Sequence, residues 1–320
     1  MNTPLSSSSS SLARIVLVRT PGVAIVISLL VLAFSLTSVN FLAVGNISNI
    51  LIQSTILLLI ALPMTLIILT EGLDLSMGAV LTLASIVLAA IAIATGSVAL
   101  GLVAGLVVGF CFGVVNGTLV AYLKIPPFIA TLGTLGIAQG LSLVITDGQS
   151  ITGIPHTIPA FYAGALLGVP LPIVAAAAAY LAAHALLYHT RFGTYVFALG
   201  GNREALKLAG VNDRLMLVAV YVLGGLTAGI AAFLMAARMN SAHPTAAIGM
   251  EFDAIAAVAV GGTSFERGNG WLFGTFLGVL AVGVLRNGLN LLAVPSSVQV
   301  GCIGVLVILA LFLDALRSPP

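Results

Sequence analysis

Two long stretches of this chain carry no charged side chain, and they limit the fold more than any other feature of the sequence. One stretch runs from Arg19 to Glu71, and the other runs from Asp74 to Lys124. Each has room for two helices of about 20 apolar residues, the length that crosses the hydrocarbon core of a bilayer. The sequence therefore predicts a chain that crosses a membrane several times.

The apolar runs favour helices over strands. Runs such as IVISLLVLAF and STILLLIALPMTLIIL do not alternate between apolar and polar residues, as a membrane β-barrel would require. Of all residues, 60% are hydrophobic and 6% are charged, whereas a soluble globular domain carries about 25% charged residues. We therefore expect an all-α, polytopic helical membrane protein.

The hydropathy pattern predicts about ten membrane segments. The segment at 251–265 is short and begins with Glu251 and Asp253, so it is either a half-span or a helix buried against its neighbours. The ten predicted segments are 15–36, 47–70, 76–95, 97–122, 127–146, 168–189, 215–237, 251–265, 270–292 and 296–316.

The basic residues predict the orientation of the chain. Lys and Arg collect on the cytoplasmic side of membrane proteins, and an even number of segments then places both termini in the cytoplasm. The Ser-rich residues 1–14 are predicted to be a disordered cytoplasmic tail, and 15–317 the transmembrane domain. Only Arg238 and Arg286 then fall on or near the outer side, and the cytoplasmic side receives Arg14, Arg19, Lys124, Arg191, Arg203, Lys207, Arg214, Arg267 and Arg317.

The loop at 190–214, with the sequence TRFGTYVFALGGNREALKLAGVNDR, separates two long apolar segments and carries four basic residues. Lipid would penalise these charges, so the loop is predicted to lie in water on the cytoplasmic side. Its middle part, 202–209, has the composition of a short amphipathic helix. Such a helix offers a docking surface to a soluble partner, with Arg203, Glu204 and Lys207 on one side and Ala205, Leu206 and Leu208 around the other.

The fourth segment carries a glycine at every fourth position, and the ninth segment repeats the spacing with Gly274 and Gly278. This spacing forms one flat groove along a helix, so the backbone of another helix can approach closely. The pattern predicts a compact bundle and indicates nothing about cargo. The glycines of the fourth segment are Gly101, Gly105, Gly109, Gly113 and Gly117.

Several classes of function find no support in the sequence. No GxxxxGK[ST] phosphate loop is present, so we expect any ATP-binding site to lie on another chain. No nucleophile set or metal-ligand spacing stands out, so we expect no catalytic residue, metal or cofactor. The formal net charge of +2 is too small to suggest a nucleic-acid partner.

Polar residues at membrane depth are the candidates for a translocation pathway. Asp74, in EGLDLSMG, could accept backbone N–H bonds where the third segment starts, or could belong to a break whose polar groups line a water-filled path, and these two interpretations are compatible. The other candidates would be costly in lipid, so they face the bundle interior or an aqueous cavity, and interhelical hydrogen bonding explains them equally well. They are Asn116, Gln139, Arg286, Asn287 and Asn290.

Five separated blocks together resemble the permease subunits of bacterial ribose-type monosaccharide ATP-binding-cassette importers. The resemblance covers roughly residues 45–316, and the order and spacing of the blocks make it specific. The blocks are EGLDLSMGAVLTLAS, GVVNGTLVAYLKIPPFIATLGTLGIAQG, FGTYVFALGGNREALKLAGV, NSAHPTAAIGMEFDAIAAVAVGGTSF and LRNGLNLLAVPSSVQ.

The resemblance implies a multi-pass protein of the bacterial inner membrane that assembles with a second permease copy or a similar permease. It also implies two cytoplasmic ATPase subunits and a periplasmic sugar-binding protein. The GGNREALKLAGV block looks like the coupling region of that family, with contacts to the ATPase from Gly201, Asn202, Arg203, Glu204, Ala205, Lys207 and Gly210.

Two functional hypotheses follow. The first is the permease subunit of an ATP-driven importer of ribose or a related monosaccharide, working by alternating access. The alternative is an ion-coupled secondary transporter of a small polar solute, for which Glu251 and Asp253 are the best buried acids. A passive channel is disfavoured because no filter motif is visible.

Overall fold

The computed structural model describes residues 21–264 and 268–317. The predicted tail at 1–14 and the start of the first predicted segment, including Arg14 and Arg19, lie outside the described residues, as does Arg267. The helices α1 to α6 are Pro21–Thr37, Val44–Leu69, Met77–Thr95, Val98–Ala121, Pro127–Thr146 and Thr157–Ala163. A hairpin of two short antiparallel strands follows, with β1 at Ala165–Leu166 and β2 at Val169–Pro170. The helices α7 to α13 are Leu171–His189, Arg191–Gly201, Arg203–Leu208, Asp213–Met239, Met250–Val260, Leu272–Leu291 and Ser296–Arg317.

The described residues form an almost entirely helical bundle, as the sequence predicted. Seven helices are long and apolar enough to cross a membrane, namely α2, α3, α4, α5, α7, α10 and α12. The helices α1 and α13 add further apolar segments, and α11 has only 11 residues. The predicted count of ten segments is therefore approximate, because the eighth segment is too short to span a bilayer.

Helix α2 lies at the centre of the bundle, and every residue from Ser54 to Leu69 is buried. It packs against α10, α12 and α7. A helix that is apolar on all sides is suited to such a position, because it has no polar face to turn towards water. The hydroxyl groups of Thr65 and Thr275 share a hydrogen bond of 2.6 Å that ties α2 to α12.

Two groups of contacts define the ends of the bundle. At one end, a β-carbon at Gly200 would collide with the carbonyl of Leu69 and with Gly268, so these three residues meet there. We call this the loop end, because it holds residues 190–214. At the other end, Ile151 and Ala242 form an antiparallel bridge, and the β1–β2 strands lead directly into the start of α7. We call this the hairpin end.

Between α10 and α11 the chain turns back into the bundle without forming a helix. We call residues 240–249 the re-entrant segment. It starts at the hairpin end, where Ala242 pairs with Ile151. Further along, the carbonyl of Pro244 accepts a hydrogen bond of 2.8 Å from Nε2 of Gln139 on α5, and the N–H of Ala247 donates to the Thr82 hydroxyl of α3 at 3.2 Å.

Helix α11 begins inside the bundle and runs to the loop end, antiparallel to α12. A β-carbon at Gly278 would collide with the carbonyl of Ala257, and Gly278 lies six residues, or about 9 Å, into α12. At the start of α11, Asp253 pairs with Arg286, which lies fourteen residues, or about 21 Å, into α12. Helix α11 is therefore a half-span, one of the two possibilities that the sequence left open.

The glycines of α4 lie against two different neighbours. Gly101 and Gly105 face α3, where a β-carbon would approach the carbonyls of Leu88 and Ala84 to 2.7 and 3.2 Å. Gly109, Gly113 and Gly117 face α10, where a β-carbon would meet backbone atoms of Gly225, Tyr221 and Val218. Because these glycines have no side chains, the backbone of α4 can approach the backbones of both α3 and α10 closely.

Candidate functional site

Residues 190–214 form two consecutive helices, α8 and α9, at the loop end. Asn202 caps α9, because its Oδ1 accepts the N–H of Ala205 at 2.9 Å. Asn212 caps α10 in the same way through the N–H of Leu215, at 3.0 Å. Such caps satisfy N–H groups that the first turn of a helix leaves unpaired. Helix α9 matches the short helix predicted at 202–209, whereas α8 was not predicted.

Charged side chains cover the outer surface of α9 in two ion pairs. Nζ of Lys207 lies 2.8 Å from Oε1 of Glu204, one turn earlier on the same helix. Nε of Arg203 lies 2.7 Å from Oδ2 of Asp213, the first residue of α10. The carboxylate of Glu204 is the most exposed of these groups, with 79% of its side chain accessible. Exposed ion pairs of this kind contribute little to stability. A partner protein can therefore break or rearrange them at little cost in free energy.

The apolar side of α9 differs from its prediction. Leu206 is buried, but Leu208 is 90% exposed and Ala205 is also exposed. Leu206 and Leu208 are two positions apart, so their side chains point in directions about 200° apart and cannot share one buried face. Leu208 therefore adds an apolar group to the exposed surface of the loop.

Glycines seat the loop on the membrane helices and set its bends. Gly200 contacts the end of α2, as described above, and Gly193 packs against the carbonyl of Leu187 so closely that a β-carbon would collide with it. Gly210 has φ of +78° and ends α9, with its N–H donating to the carbonyl of Lys207 at 2.9 Å. Gly201 has open space around it.

A buried polar cluster joins the start of α3 to α4 and α5. Oδ1 of Asp74 accepts hydrogen bonds from the N–H and the hydroxyl of Ser76, at 2.8 and 2.6 Å. Nδ2 of Asn116 donates to the Ser76 hydroxyl at 2.8 Å, and the hydroxyl of Thr134 donates to Oδ1 of Asn116 at 2.7 Å. Asp74 thus accepts a backbone N–H at the start of α3, and protein groups surround it.

Two amide pairs hold α12 to other helices. Asn287 and Asn46 exchange two hydrogen bonds of 2.9 Å, each side chain donating once and accepting once. Oδ1 of Asn290 accepts a hydrogen bond of 2.8 Å from Nε2 of Gln299 on α13. These two candidates for the pathway therefore have interhelical partners of their own.

The remaining candidates also bond to separate partners. Arg286 forms an ion pair with Asp253 of α11, and Gln139 bonds to the re-entrant segment. The structure therefore brings together Asp74 and Asn116, but it does not bring Gln139, Arg286, Asn287 or Asn290 into the same cluster. The i, i+4 spacing of Arg286 and Asn290 does not give them a shared partner.

Sequence reasoning missed most of the partners in these contacts. Ser76, Thr134, Asn46 and Gln299 were not among the candidates, although each lies in an apolar segment or at its edge. One signal was available, because a polar side chain in an apolar helix needs a partner on another helix. The sequence shows which residues need partners but not which residues those partners are.

A bundle of membrane-length helices, buried polar contacts between helices and an exposed helical loop at one end together define an integral helical membrane protein. Comparison with known families makes this specific: the chain belongs to the family described as "Branched-chain amino acid transport system / permease component", which matches residues 46–311. The chain is therefore a permease component and not an enzyme.

Curated relatives match nearly the whole chain. The "Ribose import permease protein RbsC" of Escherichia coli (strain K12) is 40% identical over 91% of this chain and 92% of its own length. The protein of the same name from Bacillus subtilis (strain 168) is 40% identical over 91% of each. The "D-allose transport system permease protein AlsC" of Escherichia coli (strain K12) is 36% identical over 93% of this chain and 92% of its own length. No solved structure matches the chain.

Proposed function

We propose that this chain is the membrane-spanning permease subunit of an ATP-driven importer of ribose or a related monosaccharide. The observation that carries the proposal is the 40% identity to ribose import permeases over 91% of the chain. Because the match extends over nearly the full length, it includes the membrane helices and the helical loop together. The 36% identity to a D-allose permease also supports a monosaccharide substrate, because D-allose and ribose belong to that class.

The proposed partners follow from the division of labour in such an importer. Two cytoplasmic ATP-binding-cassette subunits supply the energy, a periplasmic binding protein delivers the sugar, and a second permease copy or a similar permease completes the pathway. The loop end faces the cytoplasm and the hairpin end faces the periplasm of a bacterial inner membrane, with both termini cytoplasmic. The excess of Lys and Arg at the loop end supports this orientation.

The coupling surface in this proposal is α9 with its flanking residues. The charged carboxylate of Glu204 and the exposed Leu208 give the ATPase both a polar and an apolar contact. The caps and turns described above hold this surface in one shape, so a push on it moves it as a unit. The residues proposed to form the contact are Gly201, Asn202, Arg203, Glu204, Ala205, Lys207 and Gly210.

Motion of the loop has a short route into the bundle. Gly200 rests directly on the carbonyl of Leu69, where α2 ends, and no side chain lies between the two backbones. Five residues later, Asp74 begins the cluster that joins α3, α4 and α5. Closure of two ATPase subunits therefore acts on α2 and on this cluster, and the chain itself performs no covalent chemistry.

The polar residues inside the bundle have a supporting part in this proposal. Their side chains are hydrogen-bonded to other helices, so they fix the positions of the helices around the pathway. When the pathway changes from opening on one side of the membrane to opening on the other, the helices move, and these hydrogen bonds must then lengthen or find new partners. The residues proposed for this role are Asp74, Asn116, Gln139, Arg286, Asn287 and Asn290.

Replacing Glu204 by Lys tests the coupling surface. We expect sugar uptake to fall at least about tenfold, because a reversed charge at a docking surface costs up to several kcal/mol. Uptake of radiolabelled ribose by cells, normalised to the amount of permease in the membrane, is the measurement. Equal amounts of wild-type and variant protein in the membrane show that insertion is intact.

A charge swap provides the matched control. Exchanging both partners, as Glu204→Lys with Lys207→Glu, restores an ion pair on α9 while leaving the charge at each position reversed. We expect the swapped variant to remain as defective as Glu204→Lys. Wild-type uptake by Glu204→Lys, or full recovery in the swapped variant, would contradict a docking role for this surface.

A second candidate function is ion-coupled transport, which one observation favours. Oε2 of Glu251 is buried and has no hydrogen-bond partner among the described residues, so this carboxyl could exchange an ion. Membrane vesicles that contain the chain without any ATPase subunit distinguish the two functions. Sugar uptake driven by a proton or sodium gradient in such vesicles would support the second function and contradict the first.

A further inference from the structure

The re-entrant segment places irregular backbone about halfway through the membrane bundle, and one side of it is exposed. Ile248 is 60% exposed and Phe252 is 57% exposed, and Thr245 is exposed as well. The opposite side is buried, with Ala247 bonded to α3 and Pro244 bonded to α5. Phe252 lies in the first turn of α11, directly after the segment, so the three exposed residues fall within one short stretch of chain, and we call their exposed side the exposed face.

Lipid cannot cover this face at low cost. Among the hydrogen bonds of the described residues, the backbone N–H groups of Thr245 and Ile248 have no acceptor. An unpaired backbone group in hydrocarbon costs several kcal/mol, so irregular backbone at membrane depth is found where protein buries it or where it lines a water-filled cavity. The face must therefore meet water or another protein surface.

The course of the segment favours water. It starts at the hairpin end, where Ala242 bridges Ile151, and the exposed face continues from Thr245 down to Phe252 without a covering element. Water that enters from the hairpin end can reach the N–H groups of Thr245 and Ile248. The two deepest side chains of the face, Ile248 and Phe252, are apolar, and a ring of apolar side chains closes a pore by excluding water.

We propose that Thr245, Ile248 and Phe252 form one wall of the translocation pathway, with Ile248 and Phe252 as its gate near the middle of the membrane. A second permease copy supplies the opposite wall. This inference rests on the proposed transport function and adds the residues that touch the passing solute. It assigns the wall to residues outside the set of candidates that the sequence indicated, whose side chains are hydrogen-bonded elsewhere.

The chemistry of this wall fits an uncharged, hydroxyl-bearing solute. The Thr245 hydroxyl and the free backbone N–H groups can exchange hydrogen bonds with sugar hydroxyls. The acids beside the wall, Glu251 and Asp253, are buried on its far side, and Asp253 is paired with Arg286. The wall therefore presents no fixed charge, so an ionic solute would find no counter-charge there.

Cysteine accessibility tests the inference on the full chain in bacterial membranes. A parent variant replaces the two natural cysteines, Cys111→Ser and Cys302→Ser, and single cysteines then replace Ile248 or Phe252. The matched control is Leu181→Cys on α7, which is 65% exposed and lies ten residues, or about 15 Å, from the hairpin end of its helix. The probe is a membrane-impermeant methanethiosulfonate, applied to right-side-out and to inside-out vesicles.

We expect cysteines at 248 and 252 to react at least about ten times faster than the control, because the reagent needs water and Leu181 lies on a membrane-length helix among apolar side chains. Trapping the ATPase with ATP and vanadate holds the transporter in one state of access, so fast labelling at both positions should then be confined to one of the two vesicle orientations. Two positions are used so that a folding defect in one variant does not decide the result, and membrane insertion of each variant is checked by its amount.

Two results would overturn the inference. Labelling as slow as that of Leu181→Cys at both positions, in both vesicle orientations and both with and without the trapped ATPase, would mean that the face meets no water in either state of the gate. Slow labelling together with spontaneous disulfide-linked dimers would mean that the face is a closed contact between two copies. Sugar uptake by the parent variant, measured in the same cells, tests the proposed function separately. Fast labelling without any monosaccharide uptake would support the water-exposed wall and contradict the proposed monosaccharide substrate.

Discussion

Helices α4 and α5 lie next to each other and both carry glycines at close spacing, yet the surroundings of those glycines are opposite. All five glycines in the row on α4 touch the backbone or side chains of α3 or α10. On α5, no atom of a neighbouring element lies within 4 Å of the position that a β-carbon would take at Gly133, Gly136 or Gly140. The same residue type therefore marks a filled interface on one helix and an open one on the next.

Hydrogen bonds tie α5 to its neighbours in addition to its packing against α3 and α4. Its Thr134 bonds to Asn116, and its Thr131 hydroxyl accepts the N–H of Leu75 at 3.1 Å. Gln139 reaches the re-entrant segment. Hydrogen bonds between membrane helices average about 0.6 kcal/mol each, and the glycines of α5 make none of the backbone contacts that the glycines of α4 make, so α5 is attached more weakly than α4. The comparison indicates that α4 belongs to the rigid part of the bundle, whereas α5 can shift or accept a neighbour on its open side.

The largest expected effect comes from filling the interface of α4. The variant Gly109→Leu places a side chain against the carbonyl of Gly225, and the two backbones would have to separate. We expect the free energy of unfolding to fall by about 3 kcal/mol or more, as for severe overpacking. Unfolding of the purified chain in mixed detergent and SDS micelles measures the loss.

The same substitution on α5 is the control. Gly136→Leu adds an equal volume where no atom lies nearby, so the unfolding free energy of the isolated chain should change little. If Gly109→Leu were tolerated as well as Gly136→Leu, the close contact between α4 and α10 would be wrong.

A smaller effect is expected from removing one hydrogen bond that holds α5. Thr134→Val keeps the shape of the side chain but leaves Oδ1 of Asn116 without its 2.7 Å donor. We expect a loss of about 1 kcal/mol in the free energy of unfolding. Thr37→Val is the matched control, because among the described residues the exposed Thr37 hydroxyl bonds only within its own helix α1, to the carbonyls of Ala33 and Phe34. Equal losses in both variants would contradict a specific tie between α4 and α5.

The smallest effect is expected at the open face of α5. Gly140→Ala replaces a helical glycine where space is free, so helix propensity should raise the stability of the isolated chain by up to about 1 kcal/mol. Destabilisation of the isolated chain would show that the site is filled within the chain. Destabilisation of the assembled transporter alone would place the second permease copy on this face of α5.

The sequence predicts the membrane helices well, because each of them is a continuous run of apolar residues, which is visible in the hydropathy of the sequence whether the helix faces lipid or protein. The predicted segment at 97–122 and the observed Val98–Ala121 agree closely. Helix α8 was not predicted, because Gly193, Gly200 and Gly201 weaken its helical pattern, and contacts with α2 and α7 hold it in place instead. The short segment at 251–265 was recognised as unusual, but its start halfway through the bundle depends on the path of the re-entrant segment.

The polar contacts could be predicted only in part. Asn116 and Asp74 are 42 positions apart, and Asn46 and Asn287 are 241 apart. Periodicity within a segment shows which face of a helix is polar, but it contains no information about which helix lies opposite. The proposed wall at Ile248 and Phe252 could not be predicted either. Apolar residues are common throughout this chain, and only the irregular backbone around these two distinguishes them from the others.

The paired amides of Asn46 and Asn287 have one more consequence. Neither side chain titrates in the physiological range, and the pair carries no net charge. An electric field across the membrane therefore exerts no net force on this joint, and neither acidification outside the cell nor alkalinity inside can open it. The attachment of α2 to α12 should then remain constant while the voltage and the proton gradient of an energised membrane rise and fall.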